Sequence, residues 1–151
     1  SIVNFPPTGG TMGWRVWAND TANNVNLSNV YTFVVQADTT APTYSNWQNN
    51  ASSTTYQNTD VNFSIDMADN IGLDYYFFGH NQSGTMTNVT NGTMDSATSF
   101  FFNYTLTVTA SANSFICAEI SFNDTAGNTN LTNNSCFTVQ TSPDDMELFY
   151  S

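Results

Sequence analysis

The chain has 151 residues, enough for one full hydrophobic core and part of a second. Twelve acids stand against a single cation, Arg15, giving a net charge of −11. That balance excludes binding to nucleic-acid phosphates and docking on anionic membranes. Hydrophobic residues at 40% and aromatics at 15% exclude a disordered chain.

With only 9% of residues charged, the surface is built from 22 Asn and 23 Thr. No apolar run approaches the roughly 18–20 residues of a membrane span, and no charged-then-apolar leader opens the chain. Ser1 reads as the start of a mature or clipped product, and equally as part of a longer precursor.

Alternation with a period of two dominates, and no stretch shows a 3.6-residue period. Residues 2–5, 12–18 and 30–36 are predicted strands. Trp14, Val16 and Ala18 face one way, and Tyr31, Phe33 and Val35 return on the same face. Residues 37–43, ADTTAPT, form a junction stiffened by Pro42. Seven strands are then predicted within 42–140. They are Tyr44–Trp47, the set Val61, Phe63, Ile65 and Met67, the run Leu73–Phe78, and Met86–Thr90. The set Phe100, Phe102, Tyr104, Leu106 and Val108 follows, then Ile116, Ala118, Ile120 and Phe122, then Phe137 and Val139. Thr141–Asp144 repeats the junction, and Met146, Leu148 and Tyr150 alternate as one further strand.

Residues 19–36 (NDTANNVNLSNVYTFVVQ) and 123–140 (NDTAGNTNLTNNSCFTVQ) are two copies of one segment. Without gaps, 11 of 18 positions are identical at an offset of 104 residues. That offset is the size of one immunoglobulin-like β-sandwich. The chain therefore reads as all-β, with a partial Ig-like unit at 1–36, a complete sandwich at 37–140 and a tail at 141–151. Three strands cannot close a sandwich, and a lone hairpin is marginal in water, so the first unit is expected to be completed by a neighbour.

The pieces DTTAPTYSNW, ADNIGLDYYFF and FNDTAGNTN resemble the Ig-like repeats of archaeal and bacterial cell-surface and extracellular proteins. The resemblance spans most of residues 14–140. It implies an extracellular β-sandwich used for structure or adhesion, and it implies no catalysis.

Cys117 and Cys136 lie on the two strands of the last hairpin, outside the inward sets. Folding about residues 126–127 sets them opposite each other. A cross-strand disulfide is expected, formed in an oxidising compartment; two free thiols are the alternative. The matching positions in the first copy are Gly13 and Thr32.

Sequons occur at Asn19, Asn26, Asn50, Asn62, Asn81, Asn88, Asn91, Asn103, Asn123, Asn130 and Asn133. Chance alone in this composition gives roughly half as many. At least four are expected to carry N-glycans, Asn62, Asn103 and Asn123 among them, because they fall on outward strand positions or in the repeated turn.

Catalytic chemistry is not expected. His80 reads as a solitary surface histidine, and no nucleophile–base grouping can be assembled. No cofactor is called for. Asp66, Asp69 and Asp74 surround one turn, and Asp38, Asp124 and Asp144 stand near junctions. Either group reads as ordinary turn chemistry or as oxygen ligands for calcium. Arg15 reads as an outward side chain beside Trp17.

The expected function is a structural glycoprotein subunit of an extracellular filament, polymerising head to tail with copies of itself by strand complementation. The interface would join Trp14, Val16, Tyr31, Phe33 and Val35 of one subunit to Met146, Leu148 and Tyr150 of the next. The alternatives are a segment of a multi-Ig surface stalk or adhesin, and a carbohydrate-binding module using Trp17, Trp47, Tyr75 and Tyr76.

Overall fold

The computed structural model describes residues 9–143. The expected strand at 2–5 and the tail residues Met146, Leu148 and Tyr150 lie outside this range. The chain divides into two compact units, Ser1–Thr39 and Thr40–Ser151.

The described part of the first unit is one long hairpin. β1 (Gly10–Trp14) pairs antiparallel with β4 (Tyr31–Val35), and β2 (Trp17–Asn19) pairs with β3 (Val25–Leu27). The expected single strand over 12–18 is thus interrupted at Arg15 and Val16. The cause is local. Ser28 Oγ accepts a hydrogen bond from Val16 N at 2.8 Å while Ser28 N donates to Val16 O at 2.9 Å. A side chain has replaced one rung of the ladder. No described residue of this unit is buried.

The described part of the second unit is a β-sandwich of eight strands: β5 (Thr43–Asn49), β6 (Asp60–Ala68), β7 (Leu73–His80), β8 (Thr87–Thr93), β9 (Ser99–Thr107), β10 (Phe115–Asp124), β11 (Thr129–Leu131) and β12 (Ser135–Thr138). One sheet has the order β5-β6-β9. The other has β11-β10-β7-β8, with β12 also on β10. All pairs are antiparallel. Eight strands appear where seven were predicted because the last one is split at 132–134.

Alternation produces the core directly. In β6 the residues Val61, Phe63, Ile65 and Met67 are buried, while the intervening Asn62, Ser64 and Asp66 are half-exposed. The two sheets meet through aromatic rings. Phe63 of β6 lies 5.7 Å from Phe78 of β7 and 6.3 Å from Phe137 of β12, centroid to centroid. Phe78 also lies 4.8 Å from Tyr104 and 5.3 Å from Phe102. Along one side, Asn130 Nδ2 donates to Pro42 O at 2.7 Å and Asn49 Nδ2 to Ser135 Oγ at 2.9 Å.

The disulfide is present: Cys117 and Cys136 are cross-strand partners on β10 and β12. It joins neighbouring strands of one sheet, so it clamps the terminal hairpin and does not tie the two sheets together as in antibody domains.

The expectation for His80 needs correction. It is the last residue of β7 and is buried, 9% exposed, with its ring 6.4 Å from Phe78 and 6.3 Å from Tyr104.

Candidate functional site

The two copies share more than letters. At the offset of 104 residues, every rung of one hairpin has its counterpart in the other. Trp17↔Leu27, Ala18↔Asn26 and Asn19↔Val25 become Ser121↔Leu131, Phe122↔Asn130 and Asn123↔Thr129. Gly13↔Thr32 and Trp14↔Tyr31 become Cys117↔Cys136 and Ala118↔Ser135.

The turns also match atom for atom. Asp20 Oδ1 accepts from the amides of Ala22 and Asn24, both at 2.9 Å, and Asp20 Oδ2 accepts from Asn24 Nδ2 at 2.7 Å. Asp124 Oδ1 accepts from Ala126 at 2.9 Å and Asn128 at 2.8 Å, and Oδ2 from Asn128 Nδ2 at 2.7 Å. The hydrogen bonds, led by that from the Asn24 side chain, hold the Asp20 carboxyl below its ordinary pKa. Both turns place one residue at positive φ, Asn23 at 63° and Gly127 at 90°, and Asn and Gly are the residue types that tolerate it. The interruption is copied as well: Thr132 Oγ1 accepts from Ile120 N at 3.0 Å, as Ser28 does from Val16.

The first unit therefore has the register and the turn of the second unit's terminal hairpin. Its inner face can be read from the second unit. Ala118, Ile120, Phe137 and Val139 are core residues, at most 8% exposed. Their counterparts are Trp14 at 54%, Val16 at 55%, Phe33 at 43%, and Val35, which is half-buried. Tyr31, 52% exposed, stacks on Trp14 with centroids 5.0 Å apart. The five interface residues expected in this unit thus lie on one hairpin, at positions that are core or border the core in the other unit.

The sequon asparagines divide by what their amides already do. Asn123 Nδ2 donates to Asp74 Oδ2 at 3.1 Å and to Asp124 O at 3.0 Å, and its Oδ1 accepts from Tyr75 N. Asn130 Nδ2 is held by Pro42 O, and Asn62 Nδ2 reaches Thr105 Oγ1 at 3.3 Å. Asn81 is half-buried, its Oδ1 accepting from Cys117 N. Asn19, Asn26, Asn50, Asn88, Asn91, Asn103 and Asn133 are exposed. The ties on Asn62 and Asn123 depend on distant cross-strand partners, which the alternation alone does not reveal.

Of the aromatic platform, Trp47 and Tyr76 belong to the sandwich interior. Trp47 stacks on Phe63 at 5.9 Å and donates from Nε1 to Asn133 O at 2.6 Å. Tyr76 packs 5.0 Å from Phe102. Tyr75 faces outward with Phe77 beside it, and Trp17 is exposed in the first unit.

The acids Asp66, Asp69 and Asp74 have separate partners. Asp66 Oδ2 accepts from Asn46 Nδ2, Asp69 Oδ2 from the amides of Ile71 and Gly72, and Asp74 from Asn123. Asp69 and Asp124 do bring carboxylate oxygens within 4.8 Å of each other. Asp144 lies outside the described residues. Arg15 is exposed, as expected.

His80 Nδ1 accepts a long hydrogen bond from Gln82 N at 3.4 Å. Among the described residues no hydroxyl, thiol or carboxylate engages the ring. Burial pushes its pKa below the ordinary 6.5. The unfolded chain then binds a proton that the folded one resists, so stability is full above about pH 6.5 and falls as pH drops through the lowered pKa. His80→Gln is expected to flatten the decline in Tm between about pH 7.5 and about pH 5, read by thermal melts at each pH. An unchanged decline would place its source in other groups.

Among the described residues, no helix is long and apolar enough to cross a membrane. No protein-family model matches the chain, and no curated protein matches it.

Proposed function

We propose that this chain is a structural segment of an extracellular glycoprotein built from Ig-like units in series, acting as a stalk or adhesin support and performing no catalysis. The observation that carries this reading is the open face of the first unit. Its residues occupy core positions of a sandwich whose other strands are not among those described. In the second unit the equivalent face is covered by a sandwich whose remaining strands run from residue 43 to 107. A face of that size calls for most of a sandwich, more than one donated strand supplies. The reading therefore places the rest of the first repeat on the same polypeptide.

The disulfide supports an oxidising, extracellular setting. The exposed sequons support a surface made polar by glycans.

The same open face favours a second reading, a filament whose subunits complete one another, with Met146, Leu148 and Tyr150 as donor residues. Sedimentation velocity and electron microscopy of the purified chain separate the two. The stalk reading expects a monomer or small disordered oligomers with an intact second unit. Fibres that lengthen with concentration, and vanish on deletion of 143–151, would replace it with the filament reading.

A further inference from the structure

The solvent face of the larger sheet carries a pair of aromatic rings in its middle. Phe77 is 46% exposed, and Tyr75 lies on the same strand with its ring 5.0 Å away. Tyr75 is half-buried, and the exposed Phe77 ring at the centre of the sheet leaves apolar area in water. A groove of about 240 Å³ opens beside Phe77, lined also by Met86, Asn88, Glu119 and Ser121.

A sequon asparagine stands on each side of this pair. On the β10 side, Asn123 is the cross-strand partner of Tyr75, with both ends of its amide already engaged. On the β8 side, Asn91 is the cross-strand partner of Phe77. Tyr75 donates its hydroxyl proton to Asn91 Oδ1. The amide is thereby oriented by its oxygen, while its nitrogen has no hydrogen-bond partner among the described residues, and the residue is exposed. The hydroxyl residue of this sequon, Thr93, is paired across from Tyr75.

We infer that Asn91 is an N-glycan attachment site and that Phe77 and Tyr75 are the seat of its first sugar. Asn91 Nδ2 would attack the anomeric carbon of a sugar carried as a phosphate or pyrophosphate ester. The new C–N bond forms as the C–O bond to phosphate breaks. The phosphate carrier leaves with the electron pair, and Nδ2 gives up one of its two protons. Oδ1 is untouched, so the bond from Tyr75 survives and continues to aim the glycan. The C–H face of the sugar then lies on the electron-rich ring faces, and its hydroxyls meet Asn88, Glu119 and Ser121 at the groove. The attached sugar thus covers the exposed Phe77 ring and the outer part of Tyr75, and Tyr75 is a positioning residue. This inference rests on the glycoprotein reading above.

The test is the whole chain secreted from a eukaryotic host that performs N-glycosylation. Peptide mass mapping reads occupancy at each sequon. Isotope-filtered NMR reads contacts between the first sugar at Asn91 and the Phe77 ring. Asn91 is expected to be occupied, with those contacts present. Asn91→Gln is expected to lower Tm by about 4 °C in the native background and by little in a Phe77→Ser background. Asn91 bare while other sequons are occupied overturns this inference and leaves the glycoprotein reading standing. Asn91 occupied without ring contacts, or with additive losses in the two backgrounds, overturns the seat. All eleven sequons bare would sink both.

Discussion

Phe78→Ala is expected to cost the second unit about 3–5 kcal/mol, out of the roughly 5–15 kcal/mol that holds a domain folded. Phe78 is fully buried and lies within ring-contact distance of Trp47, Phe63, Phe102 and Tyr104. It is the point where the two sheets meet. Removing its ring leaves a cavity that flanking aromatics cannot collapse to fill without leaving their own contacts. Phe77→Ala, one residue earlier, removes the same ring from the solvent face and is expected to cost under about 1 kcal/mol. Urea unfolding measures both, through the midpoint with an unchanged slope. Equal losses would mean that the phase of β7 is wrong.

Replacing Cys117 and Cys136 by serine is expected to cost about 3 kcal/mol. The bond closes a loop with a sequence separation of 19 residues and holds β10 to β12 beside the sheet core. In the first unit the matching pair, Gly13 and Thr32, has only its ladder. Loss of the bond should therefore lower Tm by about 10 °C, and a reducing agent acting on the native chain should do the same. Thermal melts of the serine variant check it. An unaltered Tm would assign the hairpin's stability to packing alone.

Most of the architecture was legible because alternation with a period of two is strong in β6, β9 and β10. It fixed the inward residues from Val61 to Val139 and, with the repeat, the two cysteines. The break in the last strand was not legible from alternation, but it left a trace. Ser28 and Thr132, the two hydroxyl residues that interrupt the hairpins, occupy the same place in the two copies. A hydroxyl retained at the same place in both copies, next to Leu27 and Leu131, points to a side-chain bond with the backbone.

His80 was misplaced for a different reason. The apolar run from Leu73 to Phe78 hides its own phase, and Gly79 and Asn81 look like turn residues. The strand in fact continues, so that Tyr76, Phe78 and His80 share the inner face. Trp47 stood as a platform candidate in one alternative because β5 is an edge strand with a weak pattern. Asn46 at φ 54° makes a bulge there that turns the indole onto Phe63.

In the proposed reading the first unit is a terminal hairpin without its core. Amide hydrogen exchange on the monomeric chain tests it most directly, because two hairpins of identical register are compared within one molecule. Slow exchange is expected across 115–138 and nearly unprotected exchange across 10–35. Comparable protection in both segments of a monomer would show that the face of Trp14, Val16 and Phe33 is already covered, and would contradict it.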